Sequence, residues 1–369
     1  MLREIGRPGP YADTRPLAIE EIDLDLPGPG EVRVRIRAAG LCHSDLSVID
    51  GNRPRPVPMV LGHEAAGVVE ELGPGVTEFA PGDHVVAAFV PSCGHCGPCQ
   101  GGRPALCEPG FRANSSGTLL SGARRLHDAQ GDVHHHLGVS GFAAQAVLAS
   151  NSLVRVPSDL PFAEAALFGC AVITGVGAVV NTAAMPRGAS VAVVGLGGVG
   201  LAALLAARML EAGTLVAIDM NEHKLALARE LGATATVNAA SPDAAAQVRE
   251  WSAGGVAFAF EMAGSPRALE LAYRVTARGG TTVSAGLSRP DQQFTLPHLG
   301  LVAEERTLKG SYLGSCVPSR DIPRYIEWYR AGHLPVDRLL SERLRLEDIN
   351  AAFDRLAAGE SVRQVVELD

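Results

Sequence analysis

An α/β fold is predicted, with a β-rich first part, a doubly wound parallel sheet in the middle and a mixed tail. Three observations predict it. The first 150 residues read as short strands cut by Gly and Pro. From about Phe162, helical windows alternate with Val-rich runs, the pattern of successive βαβ units. After Ser315 one helix is followed by a segment of no clear period.

In the first part, residues 31–38 (EVRVRIRA) alternate polar and apolar with period two, as a half-buried strand does. Residues 64–71 and 84–90 read as further strands, set apart by the turns Gly73-Pro74-Gly75 and Pro81-Gly82-Asp83. In the second part, strands are predicted over 190–194, 214–219, 236–238, 256–262 and 281–286. Helices are predicted between them over 199–210, 221–231, 243–251 and 266–277, and in the tail over 323–331.

The chain has 369 residues, room for two or three domains and a large core. A net charge of −8 repels phosphate backbones, and 5% aromatic content leaves few base-stacking platforms, so no nucleic-acid partner is expected. Residues 1–16 carry charges and prolines and lack the apolar centre of a secretory leader, so a cytoplasmic, reducing compartment is expected. The longest apolar stretch, 191–207, holds four glycines in a phosphate-loop pattern and reads as strand, turn and helix, not as a membrane span.

That pattern is Gly195-Leu196-Gly197-Gly198-Val199-Gly200, a G-x-G-x-x-G after a strand and at the start of a helix. Gly195 allows a tight turn, Gly197 lets a pyrophosphate approach the backbone, and Gly200 lets helix and strand pack closely. The helix N-terminus offers unpaired N–H groups to the phosphates. Asp219 ends the next strand, where a carboxylate accepts from the adenosine ribose and repels a 2′-phosphate, so NAD is expected over NADP.

Seven cysteines are present. Cys93, Cys96, Cys99 and Cys107 crowd into one Gly-rich loop, and four thiolates suit a closed structural zinc site. An iron–sulfur cluster is the rival, although its last spacing is ordinarily shorter; unligated thiols or disulfides are the other alternative. Cys42, His63 (followed by Glu64) and Cys170 are dispersed. Two Cys and one His are the ligands of a zinc with an open fourth position, but spacing alone does not join them, and buried inert side chains explain each equally well.

The blocks GLCHSD, LGHEAAGVVEELGPGV, CGHCGPCQGGRPALC, FGCAVITGVGAVVNTA, GLGGVGLAAL and AIDMNEHKLALARELGA stand in one order along the chain. From about residue 20 to Val366 it resembles the zinc-dependent medium-chain alcohol dehydrogenases. The resemblance implies a GroES-like catalytic domain over 1–171 with a structural-zinc lobe at about 91–110, a Rossmann NAD-binding domain over 172–314, and a return to the first domain over 315–369. It implies two zinc ions per chain, a catalytic one on Cys42, His63 and Cys170 and a structural one on Cys93, Cys96, Cys99 and Cys107, leaving only Cys316 over.

The implied activity is NAD-linked interconversion of alcohols with aldehydes or ketones. Zinc acts as Lewis acid and hydride passes to the nicotinamide. Ser44 matches the hydroxyl that contacts the reacting oxygen, Asp45 the carboxylate that orients His63, and Glu64 an acid near zinc. His43 and Arg363 match pyrophosphate contacts, with solvated surface charges as the alternative. Asp219 and Lys224 match ribose contacts, Thr174 and Val199 residues packing the nicotinamide, and Phe89 and Phe142 pocket aromatics, a core role being the alternative for both.

Residues 112–144 resemble the longer, dimeric liver-type and glutathione-dependent branch, which implies a homodimer and makes His134-His135-His136 a loop feature. Two positions depart from that branch. Ser47 stands where many members have a relay histidine, and Phe111, followed by Arg112, stands where glutathione-dependent members have Arg. The second departure weakens S-(hydroxymethyl)glutathione as substrate, which stays the alternative. A non-catalytic NAD-binding protein would lack a catalytic ligand, and all three are present.

Overall fold

The alternation over 31–38 becomes the strand Glu31–Gly40 of a computed structural model that describes residues 1–369. Its Val32, Val34, Ile36 and Ala38 are buried, so the period-two pattern faces a core. The sheet runs Leu340–Leu344, Arg363–Glu367, Glu31–Gly40, Ala65–Leu72, His84–Ala87, Leu153–Arg155, with Gln145–Ala149 also paired to Glu31–Gly40. The end of the chain is therefore an inner strand: Val365 pairs with Gly40 and Val366 with Ala39, antiparallel.

The first part is less purely β than its texture predicts. A helix, His43–Ile49, follows the long strand directly, and a second, Glu108–Ser116, follows Cys107. Helices this short are held by packing more than by propensity, here through buried Leu46, Val48 and Ile49, so periodicity misses them. The histidine triplet is not a loop feature. His134 and His135 close the strand Gly131–His135, and His135 and His136 are buried. The His135 ring is accommodated because its Nε2 accepts the Arg125 N–H at 3.0 Å.

The second part forms a six-stranded parallel sheet. Its order is Ala235–Asn238, Thr214–Asp219, Ser190–Val194, Val256–Glu261, Thr276–Ser284, Thr307–Gly310. In sequence order this is 3-2-1-4-5-6, the doubly wound arrangement whose direction reverses beside the first strand. Helices Gly198–Met209, Glu222–Glu230, Ala244–Trp251 and Pro266–Val275 connect the strands as expected. Boundaries in this sheet agree to within two residues except at the start of one strand. The chain turns to strand at Thr276, because pairing of Val256 with Thr276 extends the ladder ahead of the Gly279-Gly280 irregularity. The tail helix starts earlier than predicted, as Pro318–Arg330, with Pro323 inside it.

The chain divides into two compact units: Met1–Cys170 with Val317–Ile326 and Leu340–Asp369, and Ala171–Cys316 with Glu327–Leu339. The helical run Phe162–Thr182 is long and apolar enough to cross a membrane, and its most apolar 18-residue window is 94% buried inside the protein, as in a core helix.

Candidate metal centres and nucleotide loop

Three elements of the first unit bring dispersed ligands together. Cys42 is the extended residue that starts the helix His43–Ile49. His63 and Glu64 immediately precede the strand Ala65–Leu72. Cys170 lies in Phe168–Val172, a turn of π-helix within a longer helical run, a distortion found often at functional sites. Its neighbour Gly169 is required there, since a Cβ would come within 2.4 Å of the Ala87 carbonyl oxygen.

One ligand atom from each of Cys42, His63, Glu64 and Cys170 lies within 4.8 Å of every other, and all four residues are buried. Cys170 Sγ is 3.4 Å from His63 Nε2. The other imidazole nitrogen, Nδ1, is 3.1 Å from Asp45 Oδ2, which turns Nε2 toward the thiols. Burial opposes a charge on His63, but Asp45 outweighs it and pushes the imidazole up to about 10. The Cys170 hydrogen bond, aided by Arg363 against burial, holds the Cys42 thiol well below its usual value. Burial pushes Glu64 up to about 7 against the pull of Arg363, and both its carboxylate oxygens lack hydrogen bonds. Two thiols, one of them readily ionised, an oriented imidazole and a buried carboxylate fit a divalent, borderline-soft cation such as zinc.

The four loop cysteines form a second set, again with ligand atoms within 4.8 Å of one another. Backbone N–H groups already point at sulfur: Cys93 to Cys107 Sγ at 3.2 Å, Cys96 to Cys93 Sγ at 3.3 Å and Gly110 to Cys107 Sγ at 3.4 Å. The Cys99 amide leads in drawing the Cys96 thiol down to about 6. No disulfide joins any pair. Thiolates served by amide donors suit a closed tetrahedral site.

In the second unit, Gly195 ends the strand Ser190–Val194 at φ +91°, which side chains rarely adopt, and a Cβ on Gly200 would lie 1.8 Å from the Gly195 oxygen. Nothing lies within 4 Å of a Cβ placed on Gly197, so space remains where a pyrophosphate would sit. Asp219 Oδ2 accepts the Leu196 N–H at 2.6 Å, and its Oδ1 accepts the Asn221 N–H at 2.9 Å. The acid that sequence ties to a ribose thus also braces the loop.

Residues 28–158 match the alcohol dehydrogenase GroES-like domain family and residues 198–331 the zinc-binding dehydrogenase family. The chain is 36% identical to an alcohol dehydrogenase class-3 of Drosophila melanogaster, over 95% of this chain and 94% of that one. It is 34% identical to an S-(hydroxymethyl)glutathione dehydrogenase of Paracoccus denitrificans, over 95% and 96%. The chain belongs to the zinc-dependent alcohol dehydrogenase family. Among solved structures of that family, the benzyl alcohol dehydrogenase of Acinetobacter calcoaceticus superposes with a TM-score of 0.91 at 33% identity, covering 95% of this chain and 96% of that one.

The remaining candidate residues of this alcohol dehydrogenase fall in both units. Arg363 is no surface charge. It is buried, donates to the Leu41 carbonyl at 2.8 Å and lies 3.4 Å from Glu64 Oε2, because its strand pairs beside Glu31–Gly40. Phe89 packs its ring edge-on to His63 at 5.3 Å, whereas Phe142 packs on Phe353 and lines a cavity of about 740 Å³ with Leu17, Val60 and Leu126. Ser47 Oγ donates to the His43 carbonyl at 2.8 Å, so it is occupied by its own helix. His43 is exposed at that helix's start. In the second unit, Thr174 is buried, Val199 and Lys224 are half-buried, and Cys316 is a buried thiol 3.3 Å from the Ile173 carbonyl oxygen.

Two residues that sequence reasoning passed over lie close to this cluster. His136 Nδ1 is 3.1 Å from Asp45 Oδ1, and Arg53 Nη2 donates to Ser44 Oγ at 3.2 Å. The triplet was visible as a motif, but nothing local tied it to Asp45.

Proposed function

We propose that Cys42, His63 and Cys170 hold the catalytic zinc and Cys93, Cys96, Cys99 and Cys107 a structural one, two ions per chain, in an enzyme that oxidises primary or secondary alcohols with NAD and runs in reverse with NADH. The observation that carries the reading is the convergence of two thiols and an imidazole in one buried cluster. When bound, zinc supplies Lewis acidity that favours loss of the alcohol proton, and NAD supplies the hydride acceptor. Asp45 holds His63 Nδ1 so that Nε2 faces the ion. Ser44 Oγ accepts a hydrogen bond from the alcohol O–H and relays its proton to solvent, and Phe89 walls the pocket. Glu64, paired with Arg363, would be the carboxylate beside the metal.

The loop Gly195, Gly197, Gly198, Val199 and Gly200 takes the pyrophosphate. Asp219 and Lys224 take the ribose, and Thr174 packs against the nicotinamide. The first unit is the catalytic domain and the second the NAD-binding domain. We assign a cytoplasmic homodimer with no membrane partner. The edge strand Thr307–Gly310, with Leu308 exposed, supports the dimer because an open edge invites pairing. The relative that acts on S-(hydroxymethyl)glutathione supports a second reading with that substrate, against which stands the exposed Phe111.

The test is oxidation of a panel of alcohols with NAD, with and without glutathione, beside zinc analysis of the parent and of Cys42→Ser. The proposal expects about two zinc ions in the parent, about one in the variant, and turnover down more than about a thousandfold. Full zinc and full activity in Cys42→Ser would overturn the ligand assignment.

A further inference from the structure

We propose that Arg53 makes this site selective for short alcohols and aldehydes that carry a carboxylate. The proposal rests on the reading above that Ser44 faces the reacting oxygen.

Arg53 follows the helix His43–Ile49, and its N–H donates to the Ser47 carbonyl at 2.7 Å, which fixes its backbone to that helix. Its side chain is half-buried and its Nη2 donates to the neutral Ser44 hydroxyl. Most arginines of the first unit meet a carboxylate: Arg3 with Glu20, Arg33 with Glu71, Arg125 with Glu31, Arg155 with Asp83. Arg53 does not. The nearest acid in sequence, Asp50, spends both oxygens on Asn52, accepting its N–H and its side-chain amide at 2.8 and 2.7 Å. Arg55, two residues on, adds a second cation to the same loop, its Nη1 donating to the Asn114 carbonyl at 3.3 Å.

A guanidinium can only donate, and its fork of N–H groups matches a carboxylate in a bidentate way. With one N–H on Ser44, the others remain for an anion. Two hydrogen bonds end to end span roughly 6 Å, so a substrate oxygen on Ser44 brings Arg53 within reach of a carboxylate one or two carbons from the carbinol. The reaction balances as for any alcohol: the carbinol C–H leaves as hydride to NAD, the O–H proton goes to solvent, and the hydroxy acid becomes an oxo acid.

The experiment compares 3-hydroxypropanoate with its methyl ester on the full-length, zinc-loaded enzyme with NAD. The acid should give the higher kcat/KM, and the acid-to-ester ratio should fall at least tenfold in Arg53→Gln, chiefly through KM. Arg53→Lys should recover part of the ratio, because it restores charge without the fork. KM for the acid alone should rise with salt in the parent, a reading that does not depend on any variant folding. Oxidation of the ester at equal or better efficiency, or a ratio unmoved in Arg53→Gln, overturns the inference alone. No oxidation of acid, ester, ethanol or benzyl alcohol overturns the dehydrogenase reading and this inference with it.

Discussion

Asp45 carries two imidazoles at once: His63 Nδ1 lies 3.1 Å from its Oδ2 and His136 Nδ1 3.1 Å from its Oδ1. The Gly62 N–H also donates to Oδ1, at 3.0 Å, and Asp45 is fully buried. Burial opposes its charge, yet the imidazoles hold the carboxyl well below the usual carboxylate range. A carboxylate held on both sides is a rigid mount for His63.

Replacing His136 with Phe removes one of those imidazoles. Zinc affinity, read by competition with a chelator, should fall about 10- to 100-fold, the usual cost of losing a partner that orients a metal ligand. His136→Asn, which keeps an N–H, should lose less. Equal zinc retention in parent and His136→Phe would show that His63 needs no second brace on Asp45.

Cys107 is buried, receives two amide N–H groups and begins the helix Glu108–Ser116. Cys107→Ala should lose one zinc per chain and lower the melting temperature, since structural zinc contributes folding free energy. Elemental analysis beside calorimetry checks both. An unchanged zinc count would assign the structural ion elsewhere.

Asp219→Ala should weaken NAD binding and narrow the preference over NADP. Charge-assisted hydrogen bonds are worth roughly 1.5–3 kcal/mol, or about 10- to 100-fold. Because Asp219 also accepts the Leu196 N–H, part of the loss should appear with NADP too. Fluorescence titration with both dinucleotides separates the shared loss from the selective one.

His135 sets an acid limit on stability. Burial, with Arg124 and Arg125 adding repulsion, pushes its imidazole down from 6.5 to about 3. The unfolded chain binds that proton near pH 6.5 and the folded one near pH 3, so the contribution is complete above pH 6.5. It is lost progressively as pH falls from 6.5 toward 3, at up to about 1.4 kcal/mol per pH unit. His135→Gln has no imidazole to titrate, so its urea midpoint should change less between pH 6.5 and 4 than the parent's. Parallel pH profiles would remove His135 as the cause.

The parallel sheet was legible because each βαβ unit writes its own period and the glycine loop spans six residues. The cysteine lobe was legible for the same reason, its four cysteines lying within one loop. The resemblance then named Cys42, His63 and Cys170, which spacing could not join.

What the sequence by itself determined was therefore local: the fold class, the phosphate loop and the four-cysteine lobe. What the tertiary structure decided was long-range. Pairing of Val365 with Gly40 carries Arg363 from the chain's end to Glu64, the strand Gly131–His135 delivers His136 to Asp45, and the turn after His43–Ile49 lays Arg53 on Ser44. None of these has a period or spacing to read. Sheet register and burial decide which distant side chains meet, and that information becomes geometric only when the core closes.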